Sequence, residues 1–73
     1  MFIHEAIEKS LKENKEICRE SARDVHADVF ATIRPTNSYE ACILVINQKD
    51  TKKSCRNWNP TADDLIADDW IVV

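Results

Sequence analysis

The sequence predicts an α+β fold: a small antiparallel β-sheet with an N-terminal helix and a short C-terminal helix followed by a terminal strand. Three observations predict it. Apolar residues recur at helical spacing over the first dozen positions. Two later stretches, one alternating and one continuously apolar, have the length of strands. The last seventeen residues, Asn57 to Val73, join a proline turn, a capped short helix and a β-favouring ending.

The first helix is expected from about Phe2 to Glu13, with Ile3, Ala6, Ile7 and Leu11 on one face. Glu5 with Lys9 and Glu8 with Lys12 are acid-before-base pairs four residues apart on the outer face. Asn14 is the natural residue to leave the helix in left-handed conformation, because the chain has no glycine. Every turn must then use Asn, Asp, Ser or Pro, and positive φ should fall on Asn or Asp. Glu16 to Arg19 follows as a short strand with Ile17 inward. Glu20 to His26 reads as a loop, with room for one turn of helix.

From Asp28 to Arg34 alternation returns, with Val29, Ala31 and Ile33 on one side and Phe30, Thr32 and Arg34 on the other. Pro35 stops that strand, and Thr36-Asn37-Ser38 make a turn. Tyr39 to Asn47 is the strongest strand. Its run from Ala41 to Ile46 is apolar throughout, so both faces want burial, whereas a small antiparallel sheet usually leaves one face wet. Two helices cover only one face. The other is therefore expected to meet another subunit. Gln48 to Lys53 reads as a polar hairpin loop and Ser54 to Trp58 as a short returning strand.

Pro60 forces Asn59 toward extended backbone. Thr61 then caps a new helix with Asp64 three residues on, a short-armed version of the capping box. Leu65 and Ile66 give that helix its apolar contact, and Asp68 and Asp69 end it. Trp70 to Val73 is a β-favouring run.

Residues 1–73 form one domain. A chain this small buries only about 60% of the surface its unfolded form exposes, so its core is marginal without disulfides, metal or association. Hydrophobic residues at 44% and charged residues at 32% suit a folded globular domain. A net charge of −3 argues against a nucleic acid polymer as partner, since phosphate contacts need a basic face. No apolar run approaches the roughly 20 residues of a membrane span, and no leader is visible. Cys18, Cys42 and Cys55 are odd in number and lack C-x-x-C spacing, which points to free thiols in a reducing cytosol.

Each residue that carries chemistry has a plain reading beside the functional one. Trp58 and Trp70 are packing anchors or ligand platforms. Asp64 is a helix-start acid or a ligand contact. Asp63, Asp68 and Asp69 are a solvated surface, or paired carboxylates for a hydrolase. His4 and His26 have no cysteine at ligand spacing, so no metal site is expected. No Ser-His-Asp arrangement can be argued, and a phosphate-cradling loop is excluded by the lack of glycine. No catalytic residue and no cofactor is expected.

The ending Trp58, Pro60, Thr61, Asp64, Leu65, Ala67, Asp69 and Trp70 resembles the close of the Thoeris anti-defence 2 family of small phage proteins. The opening helix with Phe2 and Ala6, and the short strand ending in Arg19, are similar to that family's start, while residues 20 to 56 match only in strand pattern. Asn14 stands where relatives usually have glycine. The resemblance implies a non-enzymatic sponge working in the host cytoplasm. It would sequester cyclic ADP-ribose isomers of the Thoeris system or cyclic oligonucleotides of CBASS. It also implies a homo-oligomer, typically a tetramer with a dimer as the other arrangement, holding ligand between protomers. Arg19, Asn57, Trp58, Asn59, Thr61 and Asp64 are the implied ligand-binding positions. Arg19 would meet phosphate, Trp58 would stack on the base, and Asn59 and Asp64 would read ribose or base edges. Relatives tend to carry a tryptophan about three residues after the strand arginine, and here Ala22 stands there. Phe30 or Tyr39 then substitutes for it, the ligand differs, or the chain is a protein-interaction module of the same fold without a small-molecule site.

Overall fold

A computed structural model describes residues 1–22, 29–38, 42–48, 52–55 and 57–73, without the side chains of Ala22, Val29 and Cys55. The elements in chain order are α1 (Ile3–Glu13), β1 (Ile17–Arg19), a 3-10 turn (Glu20–Ala22), β2 (Val29–Arg34), β3 (Ile43–Gln48), β4 (Lys52–Cys55), α2 (Ala62–Ile66) and β5 (Trp70–Val72). The five strands form one sheet in the order β4-β3-β2-β1-β5, with every neighbouring pair antiparallel. This is the expected α+β architecture. Tyr39 to Ala41, Asp28 and His26 fall outside the described residues.

Helix α1 starts with extended Phe2, whose N–H donates to the Glu5 carboxylate at 3.0 Å. Glu5 therefore serves the helix start. The ion pairs that close along this face are Lys9–Glu13 at 4.0 Å and Lys15–Glu13 at 3.4 Å. Asn14 ends the helix at φ 56°, ψ 48°, in the left-handed region. One inward position differs from expectation. Ser10 is buried at 1% exposure while Leu11 is 47% exposed, so the inner face runs Ile3, Ala6, Ile7, Ser10. A small residue lets the helix lie close to the sheet, and the Ser10 hydroxyl is satisfied by the Lys15 carbonyl at 2.7 Å.

On the α1 side of the sheet, Ala6, Ile17, Ile33 and Trp70 make the core, with Ile3, Ile7, Cys42, Leu44, Trp58, Ala67 and Val72 packed around them. Register places Val72, Ile17, Ile33 and Leu44 across from one another, hence on one face. The opposite face carries Thr32, Ile43, Val45 and Asn47, each 7% exposed or less. This corrects the assembly argument. Ile43 and Val45 leave water within a single chain, so that face does not need a second subunit. In β2 each face likewise buries a residue, Thr32 on one and Ile33 on the other, while Ala31 is exposed. A polar chain makes Thr32 burial tolerable: Asn47 Nδ2 donates to Thr32 Oγ1 at 3.0 Å, and Thr32 Oγ1 donates to Glu16 Oε1 at 2.6 Å.

The returning strand also differs from expectation. Lys52 and Lys53 belong to β4, paired with Asn47 and Ile46, and Trp58 lies beyond it. Two lysines read as loop residues, yet on an edge strand their charge deters pairing with another chain. Cys18 is buried and Cys42 half-buried.

Candidate functional site

The expected site residues lie at one corner of the molecule, where the end of β1, the segment 57–61, α2 and the start of β5 meet. Asn57 takes φ 59°, the second left-handed residue among those described. That turn directs the chain so that the Trp58 N–H donates to the Cys42 carbonyl at 3.0 Å. The half-buried Trp58 ring then meets buried Trp70 edge-to-face, centroids 5.8 Å apart at 81°. In this geometry Trp70 is a packing anchor, and Trp58 packs on it while keeping part of its surface open.

Thr61 caps α2 as expected. Its hydroxyl accepts the Asp64 N–H at 3.2 Å, and the Asp64 carboxylate accepts the Thr61 N–H at 2.9 Å. Asp64 is thus a helix-start acid. Its carbonyl also accepts the Trp70 indole N–H at 2.8 Å, which ties the five-residue helix to the core. A helix this short has no stability of its own.

Arg19 projects from the end of β1 into this corner. Its Nε donates to Asp69 Oδ1 at 2.9 Å, and its Nη1 lies 3.6 Å from Asp64 Oδ1. Arg19, Asp64 and Asp69 side chains are between a quarter and a third exposed. The Ser21 N–H reaches the other Asp69 oxygen at 3.4 Å, and the Glu20 N–H donates to the Asp69 carbonyl at 2.8 Å. The hydrogen bond from Arg19 holds the Asp69 carboxyl below the usual aspartate range, and the same bond raises the Arg19 pKa.

Of the sequence-predicted residues, Arg19, Thr61 and Asp64 are joined directly, and Trp58 through Trp70. Asn57 and Asn59 flank Trp58 and expose their side chains, as does Thr61. Asp69, read from sequence as solvated surface or one of a pair of hydrolase carboxylates and as part of the family-like ending, is not among the expected ligand positions. Its partner lies 50 residues away, and nothing local marks the pair. Ala22 closes the 3-10 turn beside Ser21.

A separate cleft of about 430 Å³ lies at the other end of α1, lined by Ser10, Asn14, Lys15, Glu16 and Arg34 among others. It contains none of the expected site residues. Among the described residues no three His, Cys, Asp or Glu side chains gather as a metal site, and no helix is long and apolar enough to cross a membrane.

A family model described as Thoeris anti-defense 2-like domain matches residues 1–73, the whole chain. Neither the curated proteins nor the solved structures gave a match.

Proposed function

The chain belongs to the Thoeris anti-defense 2-like family, and from that premise we propose that it is a sponge for cyclic nucleotide-type immune signals in the host cytoplasm. It binds cyclic ADP-ribose isomers or cyclic oligonucleotides and does not cleave them. The observation that carries this reading is the match over all 73 residues, ending motif included. The geometry is compatible with it. Asn57, Asn59 and Thr61 present amides and a hydroxyl beside a half-buried indole, groups that suit a sugar and a base. Arg19 and Asp64 border them.

The working form is a homo-oligomer, with a tetramer favoured, and ligand sits where protomers meet. Support comes from size and from surface. Met1, Phe2, Leu65 and Ile66 are among the large apolar side chains left exposed; the first two lead into α1 and the last two lie on α2, and the two helices touch.

The test incubates the protein with candidate signals, denatures it by heat and analyses the released material by mass spectrometry. A sponge returns the signal intact. Release of cleavage products would make it an enzyme. Unchanged free signal would favour the second reading, a protein-interaction module of the same fold, for which Ala22 is the specific observation.

A further inference from the structure

The charge balance at the corner is unfavourable to an incoming anion. One guanidinium faces two carboxylates, so the Arg19, Asp64 and Asp69 group carries a net negative charge before any ligand arrives. Asp63, Asp68 and Glu20 in the adjoining chain outnumber the other cation nearby, the Met1 ammonium, which is occupied by the Asp68 and Trp70 carbonyls at 2.8 and 3.1 Å. Nor can the carboxylates easily withdraw. Asp64 is fixed at both ends of the capping box, its carboxylate on the Thr61 N–H and its own N–H on the Thr61 hydroxyl. Asp69 is fixed by its Arg19 contact and by its carbonyl on the Glu20 N–H. A phosphate reaching Arg19 would lie against both.

We infer that Arg19 is a positioning residue and not the phosphate contact of the proposed site. It locks α2 and the approach to β5 onto β1, and so fixes where the 57–61 segment stands. The ligand is read at that segment by groups that suit its neutral, hydroxyl- and amino-bearing side: the Asn57 and Asn59 amides, the Thr61 hydroxyl and the open part of Trp58. This inference rests on the sponge reading and changes the chemistry of its site. The ligand's phosphates face away from the acidic corner, toward solvent or a neighbouring protomer.

The experiment uses Arg19→Gln, Asp69→Asn and the double variant, with cyclic ADP-ribose and a cyclic trinucleotide as probes. Calorimetry measures binding and urea denaturation measures stability. The sign for Asp69→Asn decides. As positioning partners, Arg19 and Asp69 give variants that each bind severalfold more weakly, and the double variant is no worse than either single one. The salt dependence of binding stays that of the wild type. If Arg19 instead holds phosphate, Asp69→Asn frees the guanidinium and tightens binding, Arg19→Gln flattens the salt dependence, and the inference is overturned. Stability gives a readout without ligand: additive effects of the two substitutions overturn the inference as well. Wild-type protein that binds neither probe overturns the sponge reading, while coupled stabilities would still uphold the Arg19–Asp69 lock.

Discussion

Thr61 and Asp64 were legible from sequence because a capping box closes within three residues, and the local chain alone dictates the geometry. The Thr61 hydroxyl accepts one orphan N–H of α2. Thr61→Ala should therefore lower stability by about 1 kcal/mol with no ligand present, and Thr61→Ser should retain most of it, as urea melts will show. The Arg19–Asp69 contact was not legible, since its partners are remote in sequence and each has an ordinary surface reading alone. Its titration has a defined sign. The Asp69 carboxyl in the folded chain lies below its unfolded value of about 3.9, so its stabilising contribution is fully present above that value. It is lost as pH falls through the depressed folded value. The stability gap between wild type and Asp69→Asn should hold from neutral pH to about pH 4 and then shrink on further acidification. A gap that stays constant to pH 2 would show that the ion pair is not its source. Ser10 and Leu11 exchanged expectations for a different reason: hydrophobicity ranks Leu11 inward, but close approach of helix to sheet selects the smaller side chain.

Among the elements, α1, β1, β2 and α2 stand within a residue or two of where periodicity and capping put them. The ends of β3 and β4 were harder. An apolar run shows that both faces are buried but not what buries them, and Ile43 and Val45 are covered within one chain. Val45→Ala should destabilise by roughly 2–3 kcal/mol, from two lost methyl groups and the cavity left behind. Ile43→Glu should unfold the chain and not merely split an assembly, which circular dichroism and light scattering together will distinguish. Strand β4 began earlier than expected because lysines suit loops and edge strands alike. Its outer edge is guarded by Lys52 and Lys53, both exposed. Replacing both with valine should produce larger, time-dependent species on size exclusion, while leaving the secondary structure unchanged.

For the molecule as a whole, 73 residues imply a total stability of about 4–11 kcal/mol, so a single core truncation is a large fraction of it. Trp70→Ala removes a buried core side chain that also packs on Trp58 and bonds to the Asp64 carbonyl, and should cost about 3–5 kcal/mol, leaving a chain close to unfolding at body temperature. The one-domain α+β plan was readable because each element carries its own local signal. The strand order was not, because no local signal says that the last strand joins the sheet beside the first. That order has a consequence for how the protein comes into being. Ile17 is flanked by Ile33 on one side and Val72 on the other, and Ala6 packs in a cluster completed by Trp70. During synthesis α1 and β1 emerge first, yet one side of β1 stays unpaired until the final strand appears. At the usual 5–20 residues per second the ribosome takes on the order of ten seconds or less to reach it, and for that interval the nascent chain is open. Its closure is long-range and therefore slow for a chain of this size. A translation product halted before Trp70 should stay unfolded and be degraded by protease at the rate of a random coil, whereas addition of the last four residues should confer protection in one step.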